Sequence, residues 1–481
     1  MCAWFQKHIK ILFGNREEKQ EAAPAPTGGR RRRVTIGLDF GTSTSKCCLR
    51  EASDRKPFVF VGFAGPEGKG SSPLFDTAVA SQDQMLLFGP DAVTAPSVVR
   101  SFKMCLPCQA RRDAGTPQTG TCPRCSSVAP GTFQLSGETI SAEDLCTLHL
   151  SVMLSEVLPR VPAVLGVDAS QLRIYVNAAA PLDQLKQFGS VGPYFERAVF
   201  YALRIAETGV PKRRWLISEA LDSLRSARRH PLPAESESCT ALFPETHAAM
   251  TGYLLLPESE RGLYGLLDVG AGTTDVSFFW LQKDQNGTRA CYYSTGTTPK
   301  GMDDVDRALA PILKVPADGL RAKRELMGAE WVTHNRAMFD DVSRAISTHY
   351  GSVYHAARNV DQRDRAWICR GVAQFRLFLV GGGAGCEPLV ERCTKTPPQG
   401  SSWQQCPARL LVPANVNVVA PDSSVKSLRA AGYEDARPLL LLAYGLAHPR
   451  PDVPKYERDP IGVVVVKAEK ERVGHEELYG R

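Results

Sequence analysis

Two stretches of this chain share one pattern, "IGLDFGTSTSK" at residues 36–46 and "GLLDVGAGTTD" at residues 265–275. Each begins with an apolar, strand-forming run, continues through an aspartate and ends in glycines mixed with hydroxyl side chains. Glycine allows a tight turn and lets backbone N–H groups approach an anion without a Cβ in the way. The hydroxyls add donors, and an aspartate at the strand end can hold hydrated Mg²⁺. Two such turns predict two similar halves that close on the phosphates of one nucleotide.

The candidate phosphate site consists of the aspartates, glycines and hydroxyl residues of these two turns. Either turn alone is equally typical of an ordinary hairpin, so the assignment depends on finding both. The candidates are Asp39, Gly41, Thr42, Ser43 and Thr44 in the first turn, and Asp268, Gly270, Gly272, Thr273, Thr274 and Asp275 in the second.

Outside the turns, strand-like and helix-like runs alternate along the chain. "RIYVNAAA" and "FRLFLVGGGAG" have the apolar character of strands, whereas "SAEDLCTLHLSVMLSEVL" and "YFERAVFYALRIAE" have the apolar spacing of helices. Alternation of this kind predicts an α/β fold. The chain has 481 residues, of which 43% are hydrophobic and 23% charged, so it is long enough for two subdomains with sizeable cores.

The two ends of the chain differ from this folded part. Residues 1–16 are amphipathic, with Trp4, Phe5, Ile9 and Leu12 on one helical face, and residues 17–33 read as a disordered linker that ends in four arginines. The segment 1–16 suits peripheral attachment to an anionic membrane or a groove on a protein partner, unless it is an idle terminus. Residues 451–481 form a charged tail.

The composition favours a cytoplasmic protein without a specific nucleic-acid signal. The formal net charge of +7 is mild, and much of it lies in the first 33 residues. No apolar run reaches the roughly 20 residues that span a bilayer, and the N-terminus lacks the apolar core of a secretory signal. Most of the 14 cysteines are scattered in apolar stretches, unlike those of a small disulfide scaffold.

Several further motifs resemble, in the same order, the nucleotide-binding domain of the DnaK-type heat-shock chaperones. These belong with actin and hexokinase to one ATPase superfamily. The motifs are "VVRSFKMC", "FPETHAAMTGYLL", "TGTTPKGMDDVD", "LRAKREL", "LFLVGGGAGCEPLV" and "LLAYGLAH". The resemblance covers about 34–450 and implies a two-lobed actin-like ATPase fold of duplicated ribonuclease-H-like domains. The first lobe would span 34–260 and the second 261–450.

The resemblance also implies roles for individual residues around ATP and Mg²⁺. The lysine of "SFKMC", Lys103, would reach the γ-phosphate, and Glu245 would hold an outer-shell water. Asp39 and Asp268 would orient Mg²⁺ waters and the attacking water. Together with Thr273, these residues form the implied catalytic set. The implied nucleotide contacts include the two turns, Lys323 and Arg324 along adenosine, and Gly381 and Gly382, which make room for it. The sequence departs from the family at Leu320 and Gly385, where a glutamate and an arginine are expected.

The function implied by the resemblance is slow ATP hydrolysis that switches the binding of an unknown protein partner. The chain after residue 450 is too short for the chaperone peptide-binding domain, which makes peptide clamping of that kind an unlikely use. Two alternatives stay open within the superfamily. One is an actin-like protein that forms ATP-dependent filaments, and the other is a small-molecule kinase, which shares the "DFGTSTSK" turn.

Two tight cysteine pairs, "CLPC" at 105–108 and "CPRC" at 122–125, follow Lys103 directly. Tetrahedral Zn²⁺ takes four thiolates, and each Cys-x-x-Cys turn presents two sulfurs to one ion. We therefore predict a structural zinc site formed by Cys105, Cys108, Cys122 and Cys125, in an insertion at 104–130. Disulfides and a redox pair are the alternatives. The segment between the pairs is polar and turn-rich, so we expect no buried core there and folding energy supplied by the metal.

The zinc insertion would be a docking surface for a protein partner or a stiffener of the first lobe. Its arginines, Arg111, Arg112 and Arg124, would contact an acidic partner or nucleic acid, or lie in a solvated loop.

Overall fold

The fold comes from a computed structural model, which describes the chain in separate ranges. These are 31–52, 57–68, 70–116, 122, 124–125, 129–181, 191–233, 238–254, 262–284, 287–314, 340–363, 374–395, 404–409, 411–448 and 463–466. The N-terminal segment 1–16 and the candidates Lys323 and Arg324 lie outside these ranges, as does most of the tail 451–481.

Strands and helices alternate as the sequence predicts, and they are numbered here in chain order. The strands are β1 (Arg32–Phe40), β2 (Thr44–Glu51), β3 (Val59–Val61), β4 (Phe63–Ala64), β5 (Ser71–Ser72), β6 (Phe75–Asp76), β7 (Ala78–Gln82), β8 (Met85–Phe88), β9 (Val98–Arg100), β10 (Thr132–Leu135), β11 (Glu138–Ser141), β12 (Leu172–Ala180), β13 (Arg214–Leu216), β14 (Thr240–Pro244), β15 (Gly262–Val269), β16 (Thr274–Asp284), β17 (Gly287–Thr298), β18 (Gln374–Val380), β19 (Gln404–Arg409), β20 (Asn417–Val419), β21 (Val425–Ser427) and β22 (Val463–Val466). The helices are α1 (Pro90–Val93), α2 (Leu106–Asp113), α3 (Ala142–Val157), α4 (Arg160–Leu165), α5 (Val191–Ala206), α6 (Ile217–Arg228), α7 (Glu245–Leu254), α8 (Met302–Leu313), α9 (Asp340–Arg363), α10 (Glu387–Lys395) and α11 (Leu441–Leu446).

The first large sheet is ordered β14-β12-β1-β2-β3-β20-β21, with β6 paired to β2. Strand β1 runs antiparallel to β2 and parallel to β12, and β12 runs parallel to β14. Strand β2 is antiparallel to β3. The last two strands, β20 and β21, come from 417–427, so the chain returns to the first sheet near its end.

The second large sheet is ordered β19-β18-β15-β16-β17-β22 and repeats the plan of the first. Strand β15 is antiparallel to β16 and parallel to β18, β16 is antiparallel to β17, and β18 is parallel to β19. The order and directions of β3-β2-β1-β12-β14 and of β17-β16-β15-β18-β19 are therefore the same. The predicted α/β class is confirmed, and its two large sheets share one five-strand arrangement.

The apolar helix α3 anchors the core of the first half. Most of its residues are buried, among them His149, and burial lowers the pKa of this histidine to about 3. The His149 ring lies 5.8 Å from the Phe40 ring and 5.6 Å from the Phe102 ring, which fixes the ends of two segments that carry site residues. Within the described ranges, Ala142–Leu165 is the helical stretch with the length and apolar composition of a membrane span, but more than half of it is buried inside the fold.

Two helices, α7 and α11, cross with their backbones in direct contact. A Cβ atom on Gly445 would lie 1.9 Å from the Ala248 carbonyl oxygen, and one on Gly252 would lie 3.0 Å from the Leu441 carbonyl oxygen. Strand β1 approaches α11 equally closely, because a Cβ on Gly37 would lie 2.2 Å from the Ala443 carbonyl oxygen. Glycine is required at these approaches because a side chain has no space.

One expectation about the cysteine insertion is wrong. Its first part is the helix α2, and Leu106, Gln109 and Ala110 on that helix are buried against the first core. The physical reason is the placement of Leu106 and Ala110 one helical turn apart, which gives the otherwise polar segment a short apolar face. The insertion is thus partly docked on the core rather than wholly a solvated loop.

Candidate functional site

The two glycine turns lie next to each other. The first, Gly41–Thr44, joins β1 to β2, and the second, Gly270–Thr273, joins β15 to β16. A Cβ atom on Gly272 would lie 2.9 Å from Thr42 Cγ2 and 3.0 Å from Met104 Cγ. The structure therefore brings the two predicted turns, one from each sheet, into contact beside the segment that carries Lys103.

Local hydrogen bonds fix the first turn. Thr77 Oγ1 donates to the Gly41 carbonyl oxygen at 2.8 Å, and the Thr77 N–H donates to the Ser43 carbonyl oxygen at 2.8 Å. A Cβ on Gly41 would lie 2.3 Å from the Thr44 carbonyl oxygen, so only glycine fits there. Because Thr77 takes up the turn carbonyls, the turn keeps one conformation.

The second turn is held by the start of helix α8. The Gly270 N–H donates to the Thr273 carbonyl at 2.9 Å, which closes the turn. The N–H groups of Met302 and Asp303 donate to the Gly270 and Ala271 carbonyls at 3.1 and 2.8 Å. Anything that moves the first turn of α8 therefore moves the second glycine turn as well.

Two of the candidate hydroxyl and carboxyl groups support this hairpin instead of facing the turn. Thr274 Oγ1 donates to the Lys300 carbonyl at 2.8 Å, and the Asp275 carboxylate accepts from the Thr297 hydroxyl. Both residues are buried. Their observed contacts are structural links to the neighbouring segment and to β17.

Besides Asp275, five charged side chains are buried around the two turns. They are Asp39, Lys46, Lys103, Glu245 and Asp268, each at most 8% exposed. Burial of this kind requires pairing, because an isolated charge loses its hydration. Two ion pairs provide it: Lys46 Nζ donates to Asp39 Oδ2 at 2.9 Å, and Lys103 Nζ donates to Glu245 Oε1 at 2.8 Å.

Lys103 links three parts of the site. Its ammonium group also donates to the Phe40 carbonyl at 2.6 Å, immediately before the first turn. The rings of Phe40 and Phe195 lie 5.5 and 5.4 Å from Nζ, which gives the cation two aromatic faces. The short 3-10 helix Phe102–Cys105 holds Lys103 in this position.

Asp268 is the exception within the cluster. In the described part of the chain its carboxylate has no hydrogen-bond or ion-pair partner. Burial and then the charges of Glu245 and Asp39 raise the pKa of Asp268 to about 7, although Lys46 and Lys103 act in the opposite direction. Gly381 approaches this carboxylate closely, since a Cβ there would lie 2.3 Å from Asp268 Oδ1. The cluster therefore has an uncompensated negative charge on the side of the second turn.

The structure thus gathers most of the predicted site but not all of it. Asp39, Lys103, Glu245 and Asp268 form one buried cluster, and Thr42 and Thr273 lie in the adjoining turns. Gly381 and Gly382 follow β18 beside Asp268, and a Cβ on Gly382 would have its nearest contact 3.6 Å away at Leu439. The adenosine candidates Lys323 and Arg324 lie outside the described residues.

Sequence reasoning missed Lys46. This residue lies directly across from Asp39 in the register of β1 and β2. Its position seven residues after Asp39 could have indicated the pairing. When four residues form the turn between two antiparallel strands, residues seven apart lie opposite each other.

The site is defined by its charges and by the geometry of the two turns. A cavity of about 720 Å³ lies elsewhere, at the start of the neighbouring strands β1 and β12, where Arg33 and Arg173 line it. It contains none of the candidate residues. Both arginines stack on Tyr175 there, at 4.6 and 5.2 Å from the ring centre.

The second candidate site is the cysteine cluster. The sulfurs of Cys105, Cys122 and Cys125 lie within 4.8 Å of one another, and the Cys105 and Cys122 sulfurs are 4.0 Å apart. Cys108 interacts with the Cys122 and Cys125 thiols, and these contacts raise the pKa of Cys108. Hydrogen bonds from Cys105 lower the pKa of Cys122 strongly and that of Cys125 to about 7. Three of the four predicted ligands, Cys105, Cys122 and Cys125, are therefore brought together within 4.8 Å.

No protein-family model and no curated protein matches this chain. The resemblance to the heat-shock chaperone ATPases therefore stays a prediction from motifs, as do the cytoplasmic location and the roles of the N-terminal segment.

Proposed function

We propose that the chain is a divergent member of the heat-shock chaperone ATPases, which binds Mg-ATP between two actin-like lobes and hydrolyses it slowly. The observation that carries the proposal is the meeting of two glycine turns, one from each sheet, over a cluster of buried charges. Hydrolysis would switch the binding of a protein partner that prefers one state of the two lobes.

The repeated sheet supports the two-lobed, duplicated ribonuclease-H-like arrangement. Each sheet contributes the same five strands in the same directions, and each glycine turn joins the same pair of strands, β1–β2 and β15–β16. Equivalent corners of two equivalent sheets therefore face one another. This is the placement expected for two hairpins that bind the phosphates of one nucleotide.

The first turn and Lys103 would bind the phosphates. The turn offers backbone N–H groups and the hydroxyls of Thr42 and Ser43, and anions favour such concave sets of donors. Lys103 is held at the base of this turn by Phe40 and Glu245. An ammonium group in this dry position stabilises negative charge that develops on the γ-phosphate.

The charge balance of the cluster fits a divalent cation. Three of the buried carboxylates face two ammonium groups, and burial, followed by the charges of Glu245 and Asp39, raises the pKa of Asp268. When bound, Mg²⁺ would supply a compensating positive charge and offset negative charge that develops on the phosphates. Asp39, Glu245 and Asp268 are the residues placed to hold its waters, and Asp268 in its ionised form would orient the attacking water.

Calorimetry with Mg-ATP and a phosphate-release assay on the full chain test the proposal. We expect Mg-ATP to bind the wild type, and Asp268→Ala to abolish phosphate release while the circular dichroism spectrum stays unchanged. Asp222→Ala is the matched control, because Asp222 is an exposed aspartate on α6 that pairs only locally with Arg225. Wild-type protein that binds no ATP contradicts the proposal.

Two further measurements separate the alternatives. ATP-dependent sedimentation of the wild type would indicate a filament former. Transfer of the γ-phosphate to a small molecule instead of water would indicate a kinase.

A further inference from the structure

The described part of the cysteine insertion contacts both halves of the chain. Its second pair, "CPRC", carries Arg124, whose side chain is only 11% exposed. The guanidinium Nη2 of Arg124 is 3.8 Å from Asp304 Oδ1, in the first turn of α8. The arginine therefore contacts the second half of the chain rather than solvent, in contrast to the solvated loop or external partner that the sequence suggested.

The cysteine cluster has the dimensions of a metal site. Four sulfurs at 2.3 Å from a tetrahedral ion are separated by about 3.8 Å. The Cys105 and Cys122 sulfurs are 4.0 Å apart, close to that spacing and far beyond the length of a disulfide. Backbone donors surround the cluster, as the Gly131 N–H donates to Cys125 Sγ at 3.2 Å and the Arg124 N–H donates to the Cys122 sulfur.

The ligands are attached to both glycine turns through short, rigid segments. Cys105 shares one 3-10 helix with Lys103 and Met104, and Met104 packs against the second turn at Gly272. Ser101, at the start of this segment, donates to Asp303 Oδ2 at 2.5 Å. On the other side, Asp304 accepts from the Gly301 N–H at 2.9 Å, and a Cβ on Gly301 would lie 2.4 Å from the Ala271 carbonyl oxygen.

We infer that Zn²⁺, bound by Cys105, Cys108, Cys122 and Cys125, fastens the two halves together by holding Arg124 against Asp304. The ion fixes the Cys122 turn, whose sulfur accepts from the Arg124 backbone, and so fixes the origin of the Arg124 side chain. The contact then holds the first turn of α8, on which the second glycine turn rests. Arg124 is a positioning residue in this device, and zinc occupancy sets how firmly the halves are joined.

Lys300 provides a matched control for Arg124. Its ammonium group lies at the same 3.8 Å from the same oxygen of Asp304, but it belongs to the second half and precedes α8 by two residues. Removing Lys300 takes away one positive charge near the Asp304 carboxylate. It leaves the contact between Asp304 and Arg124, which adjoins the metal site, in place.

The first measurement is the zinc content of the full chain, purified without added chelator. We expect about one zinc per chain, as for a single four-thiolate site. Cys108→Ser and Cys125→Ser change partly exposed ligands and should each lose the ion. Zinc-free wild-type protein with four freely titratable thiols overturns the metal site.

The second measurement is the rate at which zinc passes to a chromogenic chelator. Because coupling between two contacts is reciprocal, an Arg124–Asp304 contact that zinc stabilises must also retain zinc. We expect Arg124→Ala to speed zinc release roughly two- to fivefold, the range of a modest, partly exposed ion pair. Lys300→Ala should leave the release rate unchanged.

The third measurement is hydrogen exchange in the first turn of α8. Zinc-loaded Arg124→Ala and Lys300→Ala should both exchange faster there than the wild type, but only Arg124→Ala should also loosen the peptide that contains Gly131. Equal zinc release from the two variants overturns the proposal that zinc holds Arg124 against Asp304. Unchanged exchange at Gly131 in Arg124→Ala also overturns it. All three measurements are made without nucleotide, so they can fail or succeed independently of the ATP proposal.

Discussion

The two glycine turns have the same architecture and opposite electrostatics. In the first hairpin, Asp39 lies across from Lys46, and the two form a buried ion pair. In the second, the residue across from Asp268 is Asp275, whose carboxylate is occupied by the Thr297 hydroxyl. The first half thus neutralises its own aspartate, whereas the second half leaves Asp268 uncompensated. The same hairpin is therefore charge-balanced in one half and carries an unpaired buried carboxyl group in the other.

Lys103 pairs with Glu245 at the base of the first turn, and removing it should give the largest effect. Lys103→Met keeps an unbranched side chain, one atom shorter, but leaves Glu245 and the Phe40 carbonyl without their partner. Breaking a buried ion pair in this way costs about 3–5 kcal/mol, which urea unfolding at pH 7 will measure. The same change removes a positive charge near Asp268, so the pKa of Asp268 should rise further.

The double variant Lys103→Met with Glu245→Gln is the control for that prediction. It removes both charges, so most of the lost unfolding free energy should return while phosphate release stays absent. If Lys103→Met is as stable as the wild type, the Lys103–Glu245 pair contributes nothing to stability. The comparison between the two turns would then no longer rest on Lys103.

Asparagine at the two equivalent aspartates should change stability in opposite directions. Asp39→Asn leaves Lys46 buried without its counter-ion and should destabilise the fold by about 3 kcal/mol. Asp268→Asn removes an unpaired buried charge and should stabilise the nucleotide-free protein at pH 8 by up to about 4 kcal/mol, as the pKa rise from 3.8 to about 7 implies. Denaturant melts of both variants check the signs.

The pH dependence at Asp268 has a definite direction. The pKa of this carboxyl rises from 3.8 to about 7 on folding, so the folded chain retains a proton that the unfolded chain releases in this window. The stability that the proton contributes is complete below pH 3.8 and is lost as the pH rises through about 7. Asp268→Asn should flatten this decline, and Asp39→Asn should not. A wild-type stability that increases from pH 5 to 8 at this site would refute the assignment.

Replacing Gly381, which lies against Asp268, should change the unfolding free energy least among these site variants. Its φ of 79° and the close approach to Asp268 Oδ1 mean that Gly381→Ala must displace either the turn or the carboxylate. We expect a loss of about 1–2 kcal/mol. Gly385→Ala, four residues later and facing open space, should change the unfolding free energy by less than about 0.5 kcal/mol. Equal losses at the two glycines would contradict this reading.

The sequence predicted the elements whose signals are local. Apolar runs gave β1, β12 and β15, and the glycine–hydroxyl pattern located both turns because backbone sterics act over a few residues. The pairing of Lys46 with Asp39 was missed because the seven-residue spacing indicates it only when the two segments that flank the turn are taken as paired strands.

The sequence pattern did not predict contacts between residues that are far apart in the chain. Arg124 looked like a solvated arginine between cysteines, since nothing near it in the chain announces Asp304. The buried face of α2 was missed for a related reason, because two apolar residues in a polar segment are too few to give a clear periodicity. The return of 417–427 to the first sheet likewise depends on a partner, β3, from the opposite end of the chain.

The crossing of α7 and α11 sets a limit for anyone who redesigns this protein. With 1.9 Å between a Gly445 Cβ and the Ala248 oxygen, and 2.2 Å between a Gly37 Cβ and the Ala443 oxygen, no larger residue can be repacked there by rotating side chains. Gly37 of β1 and Gly445 of α11 can therefore be replaced only if the backbone at this crossing is rebuilt.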